Sequence, residues 1–189
     1  LPWNKESLEQ CLIDYEDDAK EMGKEFIREL DNALPEDQKL PRDDDGEFNL
    51  RAKDEGSVRL GTKKYKGFNI KSSKQLLEKL EILLNYAPTD SKGKKSVSRE
   101  ALRKCAADSE AIQTLMNWKK TEKRRQMLAS IQEKMADDGF VRASYMQLGA
   151  DTGRMSSIKP NNQQIPRDSE FRQCVEAPEG WLIVDADFS

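Results

Sequence analysis

From Asn4 to Leu34 apolar side chains return every three or four positions, at Leu8, Leu12, Tyr15, Ala19, Met22, Phe26 and Leu30. That is the spacing of one helix face, so the segment predicts a long amphipathic helix. Asn4 can cap its start, and Pro35 follows its end. Asp14, Glu16, Asp17, Asp18 and Glu25 mostly fall off the stripe, which reads as a solvated face rather than a metal site. Residues 35–67 break the period with proline, glycines and the run Asp43-Asp44-Asp45-Gly46, and then alternate through Phe48, Leu50, Ala52, Val58 and Leu60. A small charged hairpin insertion fits that texture. The aspartate run lacks the remaining ligand spacing of a calcium loop, so a solvated turn is the favoured reading.

Helical spacing resumes after Phe68-Asn69-Ile70. Ser72 caps a helix with Leu76, Leu80 and Leu83 or Leu84 inward, ending near Pro88. Ser98 caps a short helix through Cys105, and Ser109 a long one through Met135, with Ile112, Leu115, Met116, Leu128 and Ile131 inward. At the rise of an α-helix the last would be roughly 40 Å long. Beyond Gly139 the period shortens to two over Phe140–Tyr145, and Trp181–Asp187 has the pattern of a buried strand with acids at its end. The expected class is α+β, with long helices first and strands last. The expected segments are 1–88, containing the insertion, then 89–138 and 139–189.

Composition sharpens this picture. The chain of 189 residues is 36% apolar and 35% charged, which suits elongated helices with wide wet faces and argues against a compact all-β body. No run approaches a membrane span, and residues 1–20 lack the basic start and greasy run of a secretory leader, so a cytoplasmic protein with no membrane partner is expected. Cys11, Cys105 and Cys174 are odd in number and far apart, which fits reduced thiols, and the absence of histidine argues against zinc. The net charge of −3 hides opposing blocks: −10 over residues 1–50, +5 over 51–88, +4 over 89–138 and −2 over 139–189. The basic middle is the part suited to phosphate.

Three segments near the C-terminus carry the candidate chemistry: Thr152-Gly153-Arg154-Met155-Ser156-Ser157, Pro160-Asn161-Asn162-Gln163-Gln164-Ile165-Pro166-Arg167, and Val184-Asp185-Ala186-Asp187-Phe188-Ser189. Gly153 allows close approach of backbone to a ligand, Arg154 presents a fork of donors, and the amides both donate and accept. Such groups read sugars, phosphates and base edges. Taken singly, each segment reads first as a capped turn or a surface loop.

In order and spacing the three together resemble family A DNA polymerases, whose pattern runs T-G-R-L-S-S, P-N-L-Q-N-I-P and D-Y-S-Q-I-E-L-R. Phe68-Asn69-Ile70 with Ser72, Gln75 and Leu76 is similar to the family's F-N-x-x-S-x-x-Q-L segment, and Ser144-Tyr145 with Gln147 to its S-Y-x-Q strand, so the likeness spans residues 68–189. It implies a mainly helical thumb with long antiparallel helices and the first strands of a palm, with the fingers absent. Residues 1–88 would be palm or thumb-base helices with the charged hairpin insertion at about 35–67, 89–138 the thumb with its basic tip, and 139–189 the start of the palm. Arg154 would test the shape of the terminal base pair in the minor groove. Asn161, Gln163 and Gln164, with Thr152 and Ser156, would hold primer and template. Asp187 would be the catalytic carboxylate and ligand two magnesium ions, the backbone carbonyl of Phe188 assisting one, while Asp185 stands at a non-ligand position.

Lys92, Lys94, Lys95 and Ser96 fall where such enzymes carry the thumb tip. Trp118, Lys119 and Lys123 fall where the long thumb helix turns an aromatic and basic groups towards DNA. A solvated charged face is the other reading of both. Asn162 and Gln164 stand where Leu and Asn are usual, the stretch 167–175 is short, and the insertion at 35–67 leans towards a phage enzyme. The implied partners are primer-template DNA, deoxynucleoside triphosphates and a C-terminal polymerase part carrying the second metal ligand, without which this chain is expected to be inactive. A single-subunit RNA polymerase, and a non-catalytic DNA-binding or assembly module forming half of a split polymerase, are the alternatives.

Overall fold

The computed structural model describes residues 1–42, 46–48, 67–149, 152–166 and 168–184. Its elements are α1 (Lys5–Ala33), a 3-10 turn (Glu36–Gln38), α2 (Ser73–Leu84), α3 (Arg99–Lys104), α4 (Glu110–Lys134), β1 (Ser144–Met146), β2 (Ser156–Ile158), a second 3-10 turn (Asn162–Gln164) and α5 (Ser169–Gln173). The α+β expectation holds, with most of the order in helices. The expected hairpin insertion lies largely outside the described residues. Its described margin pairs Arg42 with Phe48 in an antiparallel bridge, the guanidinium 4.2 Å above the ring.

The chain folds as two compact units, Lys20–Lys119 and Leu1–Ala19 with Lys120–Ser189. In the first, the second half of α1, α2, α3 and the start of α4 bury Phe26, Leu30, Leu76, Leu80, Leu102, Ile112 and Leu115 in one core. The caps are those the sequence places: the Ser72 hydroxyl accepts from Gln75 N–H at 3.5 Å, and the Ser98 hydroxyl from Ala101 N–H at 3.3 Å. Gln75 also turns its carbonyl back to accept from Asn69 N–H at 2.7 Å while Phe68 enters the core, so the Phe68–Leu76 segment forms a helix entry that ties itself down. Buried Asp31 accepts from Leu40 N–H at 2.7 Å and pairs with Arg42 at 2.9 Å.

The other unit packs Trp3, Leu8, Cys11 and Tyr15 of the N-terminal segment against Leu128, Ile131, Val141, Phe171 and Cys174. Asn4 caps α1 by accepting from Ser7 N–H at 3.0 Å, and its backbone N–H donates to the Cys174 carbonyl at 2.8 Å. β1 and β2 pair antiparallel with Tyr145 opposite Ser157. Trp181–Val184 departs from the buried strand that its pattern suggests: these residues are exposed, Leu182 by 89%, and carry no strand pairing. Among the described residues β1 and β2 pair only with each other, and the run joins neither of them.

Candidate nucleic-acid interface

The lysine-rich loop between α2 and α3 is a closed turn. Thr89 bridges Lys95, and the Asp90 carboxylate accepts from Lys92 N–H and Lys94 N–H, both at 2.9 Å. Gly93 takes φ +75°, a conformation that a side chain resists, and a Cβ there would meet nothing within 4 Å. Asp90 thus engages the backbone donors of Lys92 and Lys94, leaving only their side chains to face outward. Lys92 and Lys94 are exposed, whereas Lys95 pairs with Glu81 at 2.9 Å, and the Ser96 hydroxyl accepts from Ser98 N–H at 3.1 Å. Asp90 was not singled out in the sequence, although an Asx residue shortly before a glycine is a recognisable turn signal.

Lys119 and Lys123 lie four residues apart on α4, hence on one helix face, Lys123 exposed and Lys119 half-buried. Burial lowers the Lys119 pKa from its ordinary value. Trp118 departs from the expectation: it is buried in the core of its unit rather than turned outward. Gly23 on α1 makes the room, since a Cβ there would stand 3.2 Å from Trp118 Nε1.

The first two C-terminal motifs meet at β2. Thr152 and Arg154 are exposed, and Arg154 has no hydrogen-bond or ion-pair partner among the described residues. Ser156 fills the place that a Cβ on Gly149 would take. Ser157, fully buried, donates to the Pro160 carbonyl at 3.2 Å and accepts from Asn162 N–H at 3.2 Å, a structural role that the sequence reading missed. Asn161 Oδ1 accepts from Gln163 N–H at 3.1 Å, and Gln163 Nε2 donates to the Met155 carbonyl at 3.1 Å, joining the second motif to the first. Gln164 is exposed. Among the described residues, both amide atoms of Asn162 are buried without a partner. The result is one polar ridge that bears a guanidinium and several amides.

Asp187 and Phe188, like Asp185, lie outside the described residues. Among the described residues no group of three or more acids or cysteines is arranged to hold a metal. No helix among them is long and apolar enough to cross a membrane.

The family model "DNA polymerase family A" matches residues 51–189. The DNA polymerase I of Treponema pallidum is 33% identical over 132 residues, 65% of this chain and 13% of that protein. The Aquifex aeolicus DNA polymerase I is 36% identical over 102 residues, 54% of this chain and 17% of the relative. Thus the chain spans well under a quarter of the relatives' length. In fold it is similar to the POL domain of Pol1 from M. smegmatis in complex with DNA primer-template and dNTP, with a TM-score of 0.65 at 20% identity, over 96% of this chain and 27% of that one.

Proposed function

Since the chain belongs to DNA polymerase family A, whose model matches more than half of it, we propose that it is the thumb and first part of the palm of a DNA-directed DNA polymerase. The carrying observation is the ridge in which Gln163 ties the Asn161–Gln164 turn to the segment that bears Arg154, unpartnered among the described residues. In this reading Arg154, Asn161, Gln163 and Gln164, with Thr152 and Ser156, meet base edges and sugars at the primer terminus. Lys92 and Lys94, with Lys119 and Lys123, meet phosphate. Lys95 serves less directly because Glu81 already holds it. The thumb assignment covers residues 89–138 on the helices of 1–88, and the palm begins at 139.

The carboxylate of Asp187 and the carbonyl of Phe188 would supply oxygen donors of the kind a hard cation such as magnesium prefers. Two such ions, when bound in a complete polymerase, supply charge to activate the primer hydroxyl and stabilise the leaving pyrophosphate. Their second carboxylate would come from a further polymerase part, and the exposed run Trp181–Val184 is the apolar surface on which that part would pack. Primer-template titrations at several salt concentrations test the reading. Wild type should bind more weakly as salt rises, and Lys92→Ala/Lys94→Ala should lower affinity for every sequence and flatten the slope by about two counterions. A chain that leaves duplex unbound at low salt refutes it.

A further inference from the structure

Asp168 stands at the N-cap of α5 but makes no side-chain cap bond. An aspartate there ordinarily accepts from the first free backbone N–H groups of the helix. Its carboxylate is instead held by the guanidinium of Arg124 on α4, which is 19% exposed. Arg124 also lies 6.0 Å from the Tyr15 ring centroid, and the Tyr15 hydroxyl donates to Glu170 in the first turn of α5 at 2.7 Å. Arg124 and Tyr15 thus fasten the start of α5 to α4 and α1. The polar turn Asn161–Gln164 lies just before this point, with half-buried Ile165 packed on the same core as Phe171. At its other end the turn is held by Ser157.

We propose that Arg124, through Asp168, is a positioning residue for the Asn161–Gln164 turn, setting where that turn meets the primer-template. The inference rests on the DNA-binding reading above for its consequence, though not for the tie itself. The placement favours positioning over direct contact, because the guanidinium is largely enclosed and already engaged by a carboxylate and a ring. Lys119 and Lys123, by contrast, have no ion-pair partner among the described residues. A forked guanidinium holds its partner's orientation, which an ammonium does less well.

The test has two arms on the 189-residue chain. In the first, amide exchange is followed by NMR at Asn162, Gln163 and Gln164, whose N–H groups donate to the Ser157 hydroxyl, to Asn161 Oδ1 and to the Asn161 carbonyl respectively. Arg124→Ala and Asp168→Ala should each speed exchange at these three about tenfold while α4 keeps its protection, and Arg124→Asp with Asp168→Arg should restore it in part. Unchanged exchange, or acceleration spread evenly over the whole unit, overturns the proposal. In the second arm, Arg124→Ala should weaken primer-template binding severalfold with no change in salt slope, and Arg124→Lys should recover part of the loss. A flattened slope would make Arg124 a phosphate contact and overturn positioning. Failure of wild type to bind DNA removes the function reading alone, and the exchange arm still decides the tie.

Discussion

Asn162 occupies a position where the family resemblance expects leucine, and it leaves a buried amide with nothing to bond among the described residues. An unpaired buried amide costs on the order of 1–3 kcal/mol. Asn162→Leu should therefore stabilise the chain, raising its melting midpoint by a few degrees, and a lowered midpoint would show that the amide has a partner in solution. Ser157→Ala should act oppositely, because it strips the Pro160 carbonyl and Asn162 N–H of their shared hydroxyl, at a cost of about 1–2 kcal/mol in urea denaturation. Cys11 offers a pH signature. Burial first, and then the neighbouring Cys174, push its thiol from 9.0 up to about 12. The folded chain keeps this proton when the unfolded chain releases it, so the contribution is whole below pH 9.0 and is lost as pH climbs towards 12. Cys11→Ala should flatten the alkaline fall in stability measured by denaturation between those values.

At the scale of elements, Ser72→Ala removes a working cap and should cost α2 about 1 kcal/mol, read as a shifted denaturation midpoint. Asp90→Ala should loosen the lysine turn without unfolding it, since this carboxylate holds two of its backbone donors. Faster exchange at Lys92 and Lys94 amides, with protection of α3 preserved, is the expected readout. The helices were legible because their signals are local: the stripe of α1, the Ser72 and Ser98 caps and the apolar face of α4 all appear within one turn of where they act. Trp118 was misjudged because its burial depends on Gly23, nearly a hundred residues away. Trp181–Val184 reads as a buried strand in isolation, but burial also needs a neighbour, which no period within the run encodes. The candidate motifs were legible as sequence, whereas Ser157, which holds the second of them, and Asp168, which pairs with Arg124, belong to residue types that are common in any turn.

Across the whole chain, charge is sorted by position, −10 over residues 1–50 against +5 and +4 over the next two blocks. Duplex binding should therefore depend on where charge is altered rather than on the net value of −3. Replacing exposed Asp17 and Asp18 with Asn should change the salt slope little, while Lys119→Ala/Lys123→Ala should reduce it by about two, as read from titration at several salt concentrations. The division into units has a temporal side as well. Lys20–Lys119 is one continuous stretch, whereas the other unit is assembled from Leu1–Ala19 and Lys120–Ser189. On a ribosome the continuous unit is complete while the first nineteen residues still wait for theirs, with Leu8, Cys11 and Tyr15 uncovered until Phe171 and Cys174 emerge. During that interval Cys11 is an open thiol, so pulse alkylation of stalled nascent chains should mark it until residue 174 has left the exit tunnel, and spare it afterwards.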